Sequence, residues 1–166
     1  MSIDTLKRAI LFIVLALAQG LVFNRIHLFG CATPLLYIML VLGFPRNYPR
    51  WAALLWSFSL GLLVDVFSNT PGVAAASLTL VGMAQTYFFP LFVQQDDAEN
   101  LVPSMAALGA GTYTFYAFVL VLLYCLVFFT LEMFSFFNWL YWAECVAGSA
   151  LLTLILVVTF ESIKTQ

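Results

Sequence analysis

This chain should fold as a bundle of α-helices that crosses a lipid bilayer several times, forming one integral membrane domain over residues 1–166. The balance of residue types says so first. Of 166 residues, 64% are hydrophobic and 8% are charged, and the mean hydropathy is +1.04. A water-soluble domain carries about 25% charged and about 45–50% apolar residues. A globule of this length could not hide so much apolar surface, so its solvent is lipid. Lipid offers no hydrogen bonds, and the backbone must satisfy itself in helices or in a closed barrel. Barrel strands alternate apolar and polar residues over about ten positions. The apolar runs here are continuous and much longer, which selects helices.

A spanning helix needs about 20 apolar residues. Six segments qualify: 6–23, 28–44, 51–66, 73–93, 104–131 and 139–160. Lys7 and Arg8 can snorkel at the start of the first. The second is short, with Pro34 near its beginning. The fourth carries Pro90 in its last turn, and the fifth is long enough to tilt. The connections are short, the longest being the acidic stretch Gln94-Gln-Asp-Asp-Ala-Glu-Asn-Leu-Val-Pro103. A five-span alternative makes the second segment re-entrant and flips the later loops.

Six spans place both termini on one side. Lys7, Arg8, Arg46, Arg50 and Lys164 fall on that side, and only Arg25 on the other, so the positive-inside rule makes both termini cytoplasmic. Aromatic residues from Phe128 to Trp142 gather around the last outer turn as an interfacial belt does.

One stretch looks built for more than spanning: Gly61-Leu-Leu-Val-Asp65-Val-Phe-Ser-Asn69-Thr70-Pro71-Gly72-Val-Ala-Ala75-Ala76. An acid at a helix centre in a bilayer costs about 2.5–3.5 kcal/mol on insertion scales, and less near an interface. It persists only if it points into protein or water. Ser57, Gly61 and Asp65 recur at i, i+4 and i+8 on one helix face, and two of them are small, so this face should pack against other helices. Asp65 then faces inward at the outer mouth. It is either part of a polar pocket or docking site, or a helix-ending carboxylate neutralised by Arg25 or headgroups. Arg25, His27, Glu132 and Glu144 share the outer side. Glu132 reads as a loop acid, His27 as an interfacial polar residue, and Glu144 as either a site residue, with Arg25 a possible charge partner at the outer mouth, or a solvated one. Asn69 and Thr70 can cap the next helix or make an Asx-type turn, and Pro71 suits a first helical turn. Gly72, Ala75 and Ala76 leave a thin helix start that a partner segment can approach.

Ala106-x-x-x-Ala110, Ala107-x-x-x-Gly111 and Ala143-x-x-x-Ala147 are small-xxx-small patterns. Packing within the chain is their default use, and a homodimer is the alternative. Cys31, Cys125 and Cys145 are scattered in apolar stretches and read as small buried hydrophobes. The single histidine has no ligand set around it, so no metal or cofactor is expected. No HExxH, GxSxG, P-loop or GxGxxG occurs, and an enzyme is not expected. No basic patch points to nucleic acid.

The Gly61–Ala76 stretch, following the inner loop Arg46…Pro49-Arg50-Trp51, resembles the rod shape-determining MreD family. In that family a Gly-x-x-x-Asp helix end precedes a Gly that opens the next helix, and Gly61, Asp65 and Gly72 match those positions. The match covers about sixteen residues and is otherwise one of hydropathy and span number. The resemblance implies a non-enzymatic scaffold of the elongation machinery that builds lateral peptidoglycan in the bacterial inner membrane. Its companions would be the single-span MreC, the actin-like MreB, and the RodA glycosyltransferase with its transpeptidase. It also implies a fold like the substrate-binding S component of energy-coupling-factor vitamin transporters. That likeness supplies a rival reading, a subunit for small-molecule uptake, with Ala16-x-x-x-Gly20 as a docking patch.

Overall fold

In a computed structural model, residues 2–22, 25, 32–93, 101–134 and 136–166 are described, Phe136 for its backbone only. Expectations that fall on His27, Cys31 and the acidic residues 94–100 lie outside them. Among the described residues every regular element is helical. Four helices are long and apolar enough to cross a membrane: α3 (Arg50–Ser68), α4 (Val73–Phe92), α6 (Ala110–Met133) and α7 (Trp139–Thr165). They differ from the expected segments by a few residues at their ends. α1 (Ile3–Leu21) has spanning length, but Asp4, Lys7 and Arg8 occupy its first two turns. α5 (Met105–Leu108) is one turn, cut from α6 by Gly109 at φ 82°, so the expected start of the fifth span at Ser104 becomes a separate turn.

The expected helix over 28–44 differs most. In its described part only α2 (Ile38–Leu42) is helical. Pro34 explains the beginning, since it has no N–H and pushes the preceding Thr33 out of helical geometry. The segment is nonetheless the centre of the molecule, with Leu35, Leu36, Tyr37, Ile38, Leu40, Val41, Leu42 and Phe44 all buried. Non-helical backbone at membrane depth is tolerated only where protein or water surrounds it. Here side chains of the surrounding helices complete its hydrogen bonds. Gln19 Nε2 donates to Pro34 O at 3.0 Å, and Gln85 Nε2 to Phe44 O at 3.1 Å. Thr33 N–H donates to Ser149 Oγ and Leu35 N–H to Thr153 Oγ1, both at 3.1 Å. These four side chains are among the few buried polar residues of the protein. The segment starts beside Gln19 near the end of α1 and finishes beside Arg8 near its start, where the guanidinium lies 5.7 Å from the Phe44 ring centroid. It therefore returns through the bundle to the end that holds the N-terminus.

Around it, α3 and α4 form a close hairpin, α6 and α7 a second, α4 joins α6, and α1 packs on α3. On α7 the residues Cys145, Ser149, Thr153, Val157 and Glu161 repeat at i+4 and are all buried, so one stripe faces the core.

Candidate functional site

The α3–α4 hairpin is tight because of small residues at its contact. A Cβ placed on Gly61 would lie 2.4 Å from Ala75 Cα and 2.7 Å from Ala74 O, and one on Gly82 would lie 2.7 Å from Ser57 Oγ. No side chain fits at the first position without separating the two helices. The expected face Ser57, Gly61 and Asp65 is buried as a unit.

Asp65 holds the turn that closes this hairpin. Its main-chain oxygen accepts from Asn69 N–H and from Thr70 N–H, the latter at 3.2 Å, which ends α3 with Asn69 in left-handed geometry at φ 56°. Its carboxylate then starts α4. Oδ1 accepts from Ala74 N–H at 2.8 Å and from Thr70 Oγ1 at 3.0 Å, and Oδ2 accepts from Ala75 N–H at 2.9 Å. The first turn of any helix leaves N–H groups without partners and carries partial positive charge. A carboxylate there is neutralised by fixed donors, each such bond stronger than a neutral pair. Gly72, at φ 81°, lets the chain enter α4 in a conformation other residues adopt only with strain.

The charge partners expected for Asp65 differ from those found. Arg25 is exposed and makes no ion pair with it, and Glu144 is exposed on α7. Backbone N–H groups and the Thr70 hydroxyl do the work instead, while Asn69 contributes its backbone rather than its amide. Of the expected contact residues, Gly61, Asp65 and Ala75 are buried between the helices, whereas Asn69, Pro71, Gly72 and Ala76 are exposed. Thr70 is half-buried.

Beside the turn lies a cavity of about 370 Å³. Asp65 does not line it. Thr70 and Ser68 form one edge, and Gln19, Thr33, Tyr37, Glu132 and Tyr141 supply further polar groups among Phe128, Phe129 and Val64. Tyr37 reaches across the core to hydrogen-bond the Tyr124 hydroxyl. Gln19, anchored through its Nε2, leaves a buried Oε1 without a partner among the described residues. Glu132, expected in a loop, belongs to the last turn of α6. The cavity is thus built from α1, the buried segment, α3, α6 and α7. Gln19 and Tyr37 escaped the reading of the sequence, although a glutamine inside an apolar helix is itself a signal of buried polar structure.

Compared with protein-family models, with curated proteins and with solved structures, the chain matches none.

Proposed function

We propose that the protein is a non-enzymatic membrane scaffold of the machinery that builds lateral peptidoglycan, with MreC as its direct partner. The reading takes the chain as six passes in a bacterial inner membrane with both termini cytoplasmic, the second pass being the buried, broken segment. MreB, RodA and its transpeptidase would belong to the same assembly. One observation carries the reading. The residues that resemble the MreD family, Gly61, Asp65 and Gly72, each have a distinct mechanical task in one rigid hairpin end. Such a hairpin offers a partner helix a fixed, thin edge at Pro71, Gly72 and Ala76. Ala76 is exposed and helical, so Ala76→Leu thickens the edge without straining the turn. It should reduce co-purification with MreC while leaving membrane insertion intact; unchanged co-purification refutes that contact.

A second reading has its own support. A cavity of about 370 Å³ falls within the range of about 300–1,000 Å³ typical of small-ligand sites. An uptake subunit of S-component type would use it. Neighbouring genes discriminate the two: cell-shape genes favour the scaffold, and transporter ATPase genes favour uptake.

A further inference from the structure

At the bundle end opposite the α3–α4 turn, the first turns of α1, the last turns of α7 and the chain around Gly43–Tyr48 enclose a cavity of about 710 Å³. Two polar side chains on its wall, the buried Glu161 and the half-buried Arg8, each hold a buried atom without a hydrogen-bond partner among the described residues. Glu161 is 3% exposed; its Oε2 lies 3.9 Å from Lys164 Nζ, and its Oε1 has no hydrogen-bond partner among the described residues. Arg8 lies over the Tyr48 ring, 4.1 Å from the centroid, and its buried Nη1 has no hydrogen-bond partner among the described residues. The two groups line the same cavity but form no ion pair with each other. A buried charged atom without a partner is destabilising, so an occupant that completes both is favoured. It must bring an acceptor to Arg8 and an N–H donor to Glu161. Lys7 and Asp4 bring one charge of each sign to the α1 wall, Lys164 stays with Glu161 Oε2, and Leu11, Met39 and Val102 supply an apolar wall.

We propose that this cavity binds a phospholipid with a phosphoethanolamine headgroup, drawn from the leaflet on the side of the termini. The phosphate lies against Arg8, with Lys7 on the same helix. The primary ammonium donates to Glu161 Oε1, and the acyl chains leave along the Leu11 and Met39 wall. A choline headgroup carries no N–H to give Glu161. A glycerol headgroup offers only neutral hydroxyl donors there, which bind a carboxylate more weakly than an ammonium does.

The test is lipid binding to the delipidated full chain in detergent, followed by native mass spectrometry. Short-chain phosphatidylethanolamine, phosphatidylcholine and phosphatidylglycerol are titrated in parallel. Phosphatidylethanolamine should bind about tenfold more tightly than either of the others, the factor that one charge-assisted hydrogen bond supplies. Glu161→Gln should erase that preference, and Arg8→Gln should weaken all three lipids. Free O-phosphoethanolamine should compete only at far higher concentration. Equal binding of the three lipids by the unaltered protein overturns the proposal, as does tightest binding of phosphatidylglycerol. A preference that survives Glu161→Gln also overturns it, and competition by free O-phosphoethanolamine at lipid concentrations would replace the lipid by a soluble solute. The headgroup comparison on the unaltered protein needs no variant to fold.

Discussion

Replacing Asp65 separates a structural acid from a functional one. Its carboxylate accepts three hydrogen bonds, two from the first turn of α4 and one from Thr70. Asp65→Leu leaves two buried backbone N–H groups and a hydroxyl without acceptors. At about 1–3 kcal/mol for each orphaned buried N–H, the loss from the two backbone groups is about 2–6 kcal/mol. Asp65→Asn keeps one oxygen. Placed as Oδ1, it retains Ala74 and Thr70 but turns an NH₂ toward Ala75 N–H, so one bond is lost, or about 1–3 kcal/mol. Native proteins have only about 5–15 kcal/mol to lose, so the Leu variant should fall far in folded yield and the Asn variant moderately. The assay is reversible unfolding in detergent, read by helical circular dichroism, alongside the two readouts the proposed scaffold role calls for, cell shape and MreC co-purification, at matched membrane levels. Function should track the folded fraction in both variants. If the Asn variant is folded and abundant yet has lost shape and partner as completely as Leu, the charge itself is required and the capping account fails. If neither variant changes unfolding, Asp65 is a solvated helix end and the account fails as well.

Other expectations follow from single contacts. Gly61→Ala drives a methyl group against the α4 backbone and should cost about 1–3 kcal/mol by overpacking, whereas Gly111→Ala, where a Cβ meets nothing, should leave the unfolding midpoint unchanged or raised. Thr153→Val removes the acceptor of Leu35 N–H and should destabilise by about 1–3 kcal/mol, and Thr153→Ser should restore most of that; equal losses refute the bond. Reporter fusions after Arg50 and after Gln95 should read cytoplasmic and one after Asn69 external, and a cytoplasmic signal at Asn69 refutes the orientation.

The hairpin was legible in the sequence because its causes are local. Long apolar runs mark α3 and α4, and the residues from Asp65 to Gly72 carry their own turn chemistry within eight positions. The partner of Asp65 was less legible. A cation was the obvious counterpart, yet fixed N–H groups nine and ten residues away suffice. The 28–44 segment misled because hydropathy records burial and not conformation. Its backbone is satisfied by Gln19, Gln85, Ser149 and Thr153, up to 118 residues away, and no local pattern reports such pairings. The polar residues were visible, Ser149 and Thr153 four apart on one helix face, but nothing in the sequence said which strand of chain they would serve. Glu132 was misplaced for a simpler reason: α6 continues to Met133, two residues beyond the apolar run.

That dependence has a consequence for how the chain is made. Thr33 and Leu35 are synthesised before α7, whose hydroxyls accept their N–H groups. Until α7 enters the membrane, this stretch has unmatched backbone donors and no stable place in hydrocarbon. The bundle therefore closes from its far end, and α7 acts as the latch for a segment translated more than a hundred residues earlier. A chain stopped after Asn138 should leave a cysteine introduced at Leu35 open to a water-borne thiol reagent, and the whole chain should shield it. Shielding in both would mean that the segment settles without its latch. Loss of α7 should therefore be felt first at Thr33 and Leu35, more than a hundred residues away.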